Sequence, residues 1–259
     1  MTLAAARQNE FKYFVLGDAL GPLAGLWQQI ISNPEPIAVE YADLYWRERA
    51  APIDAYYEIR SEFNLCRSPA KLLYLLARCV KNAVRFNPSG AFNQSPDKRR
   101  KGTHPDTMKS ELFAAHNILK GRAECRCSDF NELLAEARET DLVYMDPPYQ
   151  GTSDGRDQRY VQGVKRETVV AALESLNRRG IQFILSYDGS LGDKSYGPAL
   201  PTTLAYQLLL DVGRSSQATL NGSTDATIES LYMSHGLVDE GKPTAMALRD
   251  FSSQFALFA

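Results

Sequence analysis

The chain has 259 residues, of which 44% are hydrophobic and 23% are charged, and these ordinary values exclude a mainly disordered protein. No apolar run approaches the roughly 18 residues of a membrane-spanning helix, and the mixed N-terminal residues are not those of a secretory signal. The formal net charge of -2 excludes nucleic-acid binding through bulk charge, so such binding would need a local patch. We expect one globular, cytoplasmic protein with no membrane partner.

Strands and helices are predicted to alternate along much of the chain. Phe11–Asp18 has the aromatic and β-branched residues of a strand, and the apolar spacing from Leu23 to Ile31 is helical. The stretches "ECRCSDF" and "NELLAEARE" repeat this pattern, as do "DLVYMD" and "RETVVAALESLNRRG", which leads into the strand "IQFILSYDG". Two more strands, "LAYQLLLDVGRSS" and "ATIESLYMS", follow. The alternation predicts an α/β fold with a largely parallel sheet and helices on both faces.

The alternation stops between Pro34 and Arg122. Two amphipathic stretches in this region, "YADLYWRERAAPIDAYYEIRSEFN" and "SPAKLLYLLARCVKNAVRFN", are predicted to be helical. They lead into "PSGAFNQSPDKRRKGTHPDT", which is rich in glycine, proline, asparagine and cations. We therefore predict a main domain formed by residues 1–33 and 122–259, with residues 34–121 inserted between two of its strands.

The stretch "TDLVYMDPPYQG" ends an apolar strand on Asp146. Ligands of open α/β sheets lie outside the carboxyl ends of the strands, which places Asp146 and Asp18 at a candidate site. Pro147 and Pro148 stiffen the loop and bring no N–H donor, so the acid and a backbone carbonyl are offered to an amino group. Tyr149 adds a flat face for a planar ring. The alternative is that Asp146 caps the next turn and the prolines only end the strand.

"DPPY" after "LVYM" resembles the catalytic motif of amino-directed DNA methyltransferases. Three other stretches, "CSDF", "FNPSGAFN" and "RSSQATLNGSTDATIESLYMS", resemble the Dam-like (D12 class) adenine group. The resemblance implies a Rossmann-like S-adenosylmethionine-dependent methyltransferase sheet with an inserted, mainly helical target-recognition domain. It also implies methyl transfer from S-adenosyl-L-methionine to the exocyclic amine of adenine in a short duplex sequence, within a restriction-modification system.

The resemblance assigns the chemistry to Asp146, Pro147, Pro148 and Tyr149. Asp146 and the Pro147 carbonyl would accept both amine hydrogens and stabilise the positive charge that develops as the methyl group arrives. Tyr149 would stack on the target base after it leaves the duplex. A related acceptor-Pro-Pro-aromatic loop also serves cytosine and protein amides, so these remain alternative substrates.

The same resemblance assigns residues to the cofactor. Asp18 would hold the ribose hydroxyls, Asp129 the adenine amino group, and Phe130 would lie beside the ring, with Asp146 completing the set. Helix capping is the alternative role of both Asp18 and Asp129. No metal is expected, because the four cysteines and three histidines lack the paired spacing of a zinc site.

Double-stranded DNA is the expected partner of the insert. The residues matched to base recognition are Arg85, Asn87 and Asn93, and those matched to phosphate contacts are Lys98, Arg99, Arg100 and Lys101. A solvated charged face is the alternative for the four cations. The late residues Gln217, Asn221 and Thr224 could approach the target strand, although a hairpin turn explains them equally well.

One expected motif is not recognised in the printed sequence. The family opens with a strand and a glycine-rich loop, F-x-G-x-G, that binds the methionine end of the cofactor, and the scattered glycines of "LGPLAGLW" do not match it. We expect a complementary protein subunit to carry this motif and to associate through an exposed sheet edge. A truncated or decayed homologue, a divergent start, and a DNA-binding module that does not methylate are the alternatives.

Overall fold

The chain is a mixed α/β protein whose strands form small sheets. The computed structural model describes residues 1–50, 54–80, 84–87, 89–99, 101–147, 164–191, 194, 195, 197–213, 227–239, 242 and 243. The chain divides into two compact units, Met1–Leu133 and Leu134–Ala259. Among the helices in the described ranges, none has the length and apolar character that crossing a bilayer requires.

Most helices belong to the first unit. Its elements are α1 (Thr2–Gln8), β1 (Phe14–Asp18), α2 (Gly21–Ser32), α3 (Glu35–Ala50), α4 (Asp54–Cys66), α5 (Pro69–Arg78), α6 (Pro105–Leu119), β2 (Ala123–Cys127) and the beginning of α7 (Phe130–Glu136). The predicted strand followed by a helix is found as β1 and α2, and again as β2 and α7. The sequence pattern did not predict α1 or α6, and the first amphipathic stretch contains two helices rather than one.

Local capping fixes where two of these helices begin. α5 follows Ser68, whose hydroxyl oxygen accepts a hydrogen bond from the N–H of Lys71. α6 follows His104, whose Nδ1 accepts one from the N–H of Asp106. Each helix has proline at its start, where a backbone N–H would have no helical partner.

Residues from α2 to α6 share one hydrophobic core. Its largest members are Leu26, Ile30, Ile37, Tyr41, Tyr45, Tyr56, Ile59, Phe63, Leu72, Tyr74, Leu75, Phe86, Phe92, Met108 and Leu112. The helices of the segment predicted as an insert therefore pack directly against α2. A second cluster, which includes Ala24, Ile31 and Leu119, lies beside β2 through Ala123 and Cys125.

β1 and β2 form a parallel pair. The register runs from Phe14 opposite Ala123 to Asp18 opposite Cys127, so both strands end at the same edge. Within the described residues, β1 pairs with β2 alone, which leaves its other side without a strand neighbour.

The second unit contains the larger sheet. Its elements are β3 (Leu142–Met145), α8 (Arg166–Arg178), β4 (Gln182–Leu191), β5 (Lys194–Ser195), β6 (Tyr206–Gly213), β7 (Thr227–Met233), a 3-10 turn (His235–Leu237), β8 (Val238–Asp239) and β9 (Lys242–Pro243). The strand order is β3-β4-β7-β6, with β5 paired to part of β4, while β8 and β9 pair with each other. Among the described residues, β3 pairs only with β4.

The prediction of a largely parallel sheet holds for only part of this unit. β3 and β4 are parallel, but β7 is antiparallel to both β4 and β6. The two last long strands are consecutive neighbours in the sheet, and such strands commonly pair in antiparallel fashion because no crossover helix is needed.

Candidate active site

Asp146 lies directly after β3, at its carboxyl end. Because Pro147 follows it, the backbone of Asp146 is held extended and the alternation of side chains continues past the strand. Leu142 and Asp146 therefore lie on the same side of β3. Leu142 packs on an apolar cluster formed by Ile184 and Leu231 among others. The candidate catalytic acid thus comes at the end of an apolar sheet face.

Glu229 lies on this same face, on β7, which is two strands from β3 because β4 lies between them. β7 places Glu229 two residues from Leu231, which is opposite Ser186 of β4. Burial raises the pKa of the Glu229 carboxyl, and the negative charge of Asp146 raises it further. The structure therefore brings together two acids, of which the sequence pattern identified only Asp146.

The Asp146 carboxyl also has a raised pKa, because the surrounding protein removes water from it. The residue nevertheless remains exposed, so solvent screening limits how much this shift contributes to the stability of the fold. An exposed and partly desolvated carboxylate can accept hydrogen bonds from an incoming polar group. Pro147, which follows it, is half-buried, whereas Pro148 and Tyr149 lie outside the described residues.

A bulge in β4 contains a buried acid, Asp188. The register between β4 and β7 shifts between Ser186 and Gly189, so that two residues of β4 are accommodated without partners of their own. Gly189 has φ of 146°, and a Cβ there would lie 2.4 Å from the carbonyl oxygen of Ile228. Asp188, within the bulge, also has a positive φ, of 56°. The close approach of the two strands therefore requires glycine at position 189.

Asp188 is buried and belongs to a hydrogen-bonded group. The Tyr232 hydroxyl donates to Asp188 Oδ2 at 2.8 Å, and it accepts hydrogen bonds from Gln207 Nε2 at 3.1 Å and from the N–H of Leu200 at 3.2 Å. Burial raises the pKa of Asp188, and hydrogen bonds from Ser230 and Tyr232 partly oppose this. These hydrogen bonds stabilise the sheet at the bulge. The sequence pattern did not identify it, since the bulge depends on strand register.

Asp18 ends β1 in the first unit. Its carboxylate Oδ1 accepts a hydrogen bond from the N–H of Leu20 at 2.7 Å, just before α2 begins. Its carbonyl oxygen accepts one from the N–H of Ser128 at 3.2 Å, directly after β2. Burial raises the pKa of Asp18, and the bond from Leu20 lowers it in part. Asp18 therefore forms a turn before α2 and does not take the helix-capping role that was its alternative, because the residue at the cap position of α2 is Leu20.

Asp129 and Phe130 lie beside Asp18, at the same edge of the two-stranded sheet. Asp129 Oδ1 accepts hydrogen bonds from the backbone N–H and the side-chain amide of Asn131, each at 2.9 Å. Asp129 therefore caps the start of α7, as its alternative interpretation stated. Phe130 is the first residue of that helix and is half-buried.

These three residues fit the adenosine part of S-adenosyl-L-methionine. The hydrogen bonds above occupy Oδ1 of each aspartate, and Oδ2 of each accepts no hydrogen bond from any residue in the described ranges. Ribose hydroxyls and an adenine amino group are donors that such free carboxylate oxygens can bind. Phe130 supplies a ring beside them. The predicted cofactor residues are thus grouped in the first unit, with the exception of Asp146, which belongs to the second.

A small hairpin contains one of the residues matched to base recognition, Asn87. Phe86 and Phe92 form an isolated bridge, the Asn87 N–H donates to the Ala91 carbonyl oxygen, and the Gly90 N–H donates to the Asn87 carbonyl oxygen. The Asn87 side-chain oxygen accepts hydrogen bonds from the Ala91 N–H at 2.8 Å and from the Ser89 hydroxyl at 2.7 Å. Asn87 therefore shapes the turn, a role that its spacing alone did not indicate.

Asn93 and Arg85 flank this hairpin. Asn93 is exposed, and its N–H donates to the carbonyl oxygen of Arg85 at 3.2 Å. Arg85 is half-buried. Of the three residues matched to base recognition, Asn93 is thus the most accessible to a nucleic acid.

Three of the four predicted phosphate-binding cations are exposed, namely Lys98, Arg99 and Lys101. Arg99 is also paired with Asp97, through its Nε at 3.3 Å. Arg100 lies outside the described residues, as do Gln217, Asn221 and Thr224.

Comparison with known protein families identifies the family to which the chain belongs. The model of the D12 class N6 adenine-specific DNA methyltransferases matches residues 1–220, which is most of the chain. The chain belongs to this family. The resemblance inferred from "DPPY" and its neighbouring stretches is confirmed, and the protein is a member of a family of adenine-specific DNA methyltransferases.

Several relatives carry names that agree with the D12 class. The DNA N-6-adenine-methyltransferase of Escherichia phage P1 is 23% identical over 203 residues, which are 68% of this chain and 26% of the phage protein. The Retron Ec67 DNA adenine methylase of Escherichia coli is 30% identical over 158 residues, 59% of this chain and 53% of that protein. The DNA adenine methylase of Salmonella typhi is 26% identical over 146 residues, 54% of this chain and 50% of that protein. The chain thus spans between a quarter and about half of these relatives.

Proposed function

We propose that this D12-class chain forms the catalytic and DNA-reading part of a methyltransferase that modifies the exocyclic amine of adenine in a short duplex sequence. The observation that carries the proposal is the position of Asp146. It is an exposed acid at the carboxyl end of β3, it is followed by Pro147, and it stands at the edge of an apolar sheet face. A restriction-modification system is the setting we infer for such sequence-specific methylation.

Asp146 and the Pro147 carbonyl hold the amino group of the target base. The lone pair of this amine is delocalised into the ring, so the amine is a weak nucleophile. Two acceptors that bind both amine hydrogens favour a pyramidal nitrogen and stabilise the positive charge that develops on it. Tyr149, in the same motif, provides the stacking face for a base that has left the duplex.

S-adenosyl-L-methionine supplies the activated methyl group when it is bound. Asp18 and Asp129 would accept hydrogen bonds from its ribose and adenine ends, and Phe130 would lie beside the adenine ring. The Oδ2 atoms of the two aspartates, which accept no hydrogen bond from the described residues, support these roles. Residues at the ends of β1 and β2 and at the start of α7 would thus bind the cofactor.

We infer a Rossmann-like methyltransferase sheet, and the parallel pairs β1–β2 and β3–β4 are each of the kind that such a sheet contains. A further strand, followed by the glycine-rich loop, would complete the sheet and the methionine end of the cofactor site. Within the described residues, β1 and β3 each have a strand partner on one side only, which supports the presence of sheet edges able to accept a strand. We infer that a complementary protein subunit supplies this strand and loop.

The segment 34–121 acts as the target-recognition domain. Lys98, Arg99 and Lys101 contact phosphates of double-stranded DNA, with Arg100 beside them in the sequence. Asn93 is the best placed of the recognition residues to reach a base edge, because Asn87 is occupied within its turn. Arg85 contributes from the other side of the hairpin.

The test is methylation of duplex DNA by the chain together with the complementary subunit, with labelled S-adenosyl-L-methionine, followed by digestion to nucleosides. Adenine should carry the label, and Asp146→Ala should lower the rate at least about 100-fold while leaving the fold intact. Asp141→Ala is the matched control, since it removes an exposed acid that precedes the same strand. Label in cytosine or in protein would identify an alternative substrate, and full activity of Asp146→Ala would overturn the proposed mechanism.

A DNA-binding homologue that does not methylate is the second candidate. This candidate predicts duplex binding that weakens with salt, with no cofactor binding under any condition. Cofactor titration with and without the complementary subunit therefore separates the two candidates.

A further inference from the structure

The basic loop, defined as residues 97–99 and 101–103, connects the region after the hairpin to the start of α6. We propose that side chains of α3 and α5 hold this loop in one conformation before DNA binds, so that Lys98, Arg99 and Lys101 are already placed for phosphates. Glu48, Arg78, Arg49 and Tyr41 are then positioning residues for DNA binding. The inference rests on the proposed function, because DNA is the ligand of the loop.

A buried ion pair forms the base of this arrangement. Glu48 and Arg78 are 1% and 7% exposed, and Arg78 Nε donates to Glu48 Oε2 at 2.7 Å and to Oε1 at 2.9 Å. Arg78 Nη2 donates to the same carboxylate, and so does the Tyr74 hydroxyl. A buried charge pair is costly to desolvate unless its remaining hydrogen-bonding groups are satisfied, and here several of them are. The pair therefore holds the Arg78 side chain in place next to the loop.

Three carbonyl oxygens of the basic loop accept hydrogen bonds from helix side chains. Arg78 Nη1 donates to the Asp97 carbonyl at 3.0 Å. Arg49 Nη2 donates to the Lys101 carbonyl at 2.5 Å, and the Tyr41 hydroxyl donates to the Thr103 carbonyl at 2.8 Å. The loop is thus attached to α3 and α5 near both of its ends and in between.

Interactions within the loop restrict it further. The buried Asp97 carboxylate accepts the N–H of Arg99 at 2.9 Å, which closes a local turn. Gly102 has φ of 77°, and a Cβ there would lie 3.0 Å from Cδ of Arg78. The backbone at Gly102 therefore packs directly on the side chain that holds the start of the loop.

These attachments leave the cationic side chains outside. Lys98 and Lys101 are exposed, as is Arg99, although Asp97 offsets part of its charge. A loop that is already ordered in the free protein loses less conformational freedom when it binds a ligand. The helix side chains therefore strengthen DNA binding without touching DNA.

Two variants each weaken the attachment of the basic loop at one carbonyl oxygen. Tyr41→Phe removes only the hydroxyl that binds Thr103, and Tyr56→Phe is its control, because the Tyr56 hydroxyl is also in the core but donates to Gln94, outside the loop. Arg49→Gln removes the bond to Lys101 together with the pairing of Arg49 Nη1 with Glu48 Oε2 at 3.5 Å. Its control is Arg47→Gln, which makes the same charge change on the same helix, where Arg47 pairs with acids of α4 rather than with the loop.

Duplex affinity, hydrogen exchange and melting temperature would be measured for the full chain and each variant. We expect Tyr41→Phe and Arg49→Gln to bind a duplex about three- to tenfold more weakly than their controls, with faster amide exchange confined to residues 98–103. Melting temperatures should fall by similar amounts in each variant and its control. Faster loop exchange without weaker binding would overturn the inference, as would equal losses of affinity in variants and controls. A wild-type chain that binds no duplex at all would instead overturn the proposed function and, with it, this inference.

Discussion

The negative charge of Asp146 raises the pKa of Glu229, and the two carboxylates lie at the same end of one sheet face. The charge of Asp146 disfavours ionisation of Glu229, so Glu229 accepts a proton more readily than an isolated carboxylate does. This relationship gives the candidate catalytic acid a partner that no motif contains.

Asp146→Asn should lower the pKa of Glu229, because it removes a neighbouring negative charge. The measurement is an NMR titration of the Glu229 side-chain carboxyl in wild type and variant. Asp141→Asn, at an exposed position before β3, is the charge-matched control and should leave the pKa of Glu229 unchanged. An unshifted Glu229 titration in Asp146→Asn would show that the two carboxylates do not interact.

Asp146→Asn should change how stability depends on pH. Since burial raises its pKa, the folded protein binds this proton more tightly than the unfolded chain does. The stability that this group provides is therefore greatest below the ordinary carboxyl pKa of 3.8 and falls as pH rises through that value and then through the raised pKa. The variant lacks this loss of stability. Its melting temperature should therefore rise relative to that of wild type as the pH is raised from acid to neutral. Identical pH dependence of the two melting curves would contradict the assigned shift.

Lys98→Ala tests whether the basic loop contacts phosphates. Loss of one such contact should reduce the slope of log affinity against log salt by about 0.9. The slope would be measured by titrating a duplex at several salt concentrations. Lys109→Ala is the control, because Lys109 is an exposed lysine of α6 that pairs with Glu35 at 2.8 Å. Equal slopes for Lys98→Ala and wild type would show that Lys98 does not contact a DNA phosphate.

Gly189→Ala should destabilise the second unit by about 1–3 kcal/mol, because alanine is strained at its positive φ and its Cβ would approach the Ile228 carbonyl. Denaturant unfolding measures this change. Gly25→Ala is the contrasting variant, since Gly25 lies within α2 with no atom near the added methyl group. That change should stabilise the protein by about 0.5–1 kcal/mol. A stable Gly189→Ala protein would show that the bulge does not require glycine.

The sequence predicted those features of the site that depend on local pattern. Asp18 and Asp146 each follow an apolar strand, and the carboxyl end of such a strand is recognisable without knowledge of its neighbours. Asp129 precedes a helix, and its sequence position is compatible with both a capping role and a cofactor role. Its capping role is seen directly, and its cofactor role remains a prediction.

The sequence did not reveal features that depend on register or on contacts between distant residues. Glu229 reaches the candidate site only because β7 pairs with β4 in one register, and Asp188 only because β4 bulges. The available signal for Glu229 was its place in the alternating stretch "ATIESLYMS", where it lies on the same side of the strand as apolar residues. The attachment of the basic loop by Arg78 joins residues far apart in the chain, and no local pattern indicates it.

The central claim is that this chain binds S-adenosyl-L-methionine for methyl transfer, with the complementary subunit completing the site. The measurement that tests it most directly is calorimetric titration of S-adenosyl-L-methionine into the chain, first alone and then with a protein that carries the strand and glycine-rich loop. We predict binding in the presence of that protein, and loss of this binding in Asp18→Ala. Binding by the chain alone would contradict the need for a second subunit, and no binding under either condition would contradict the methyltransferase account itself.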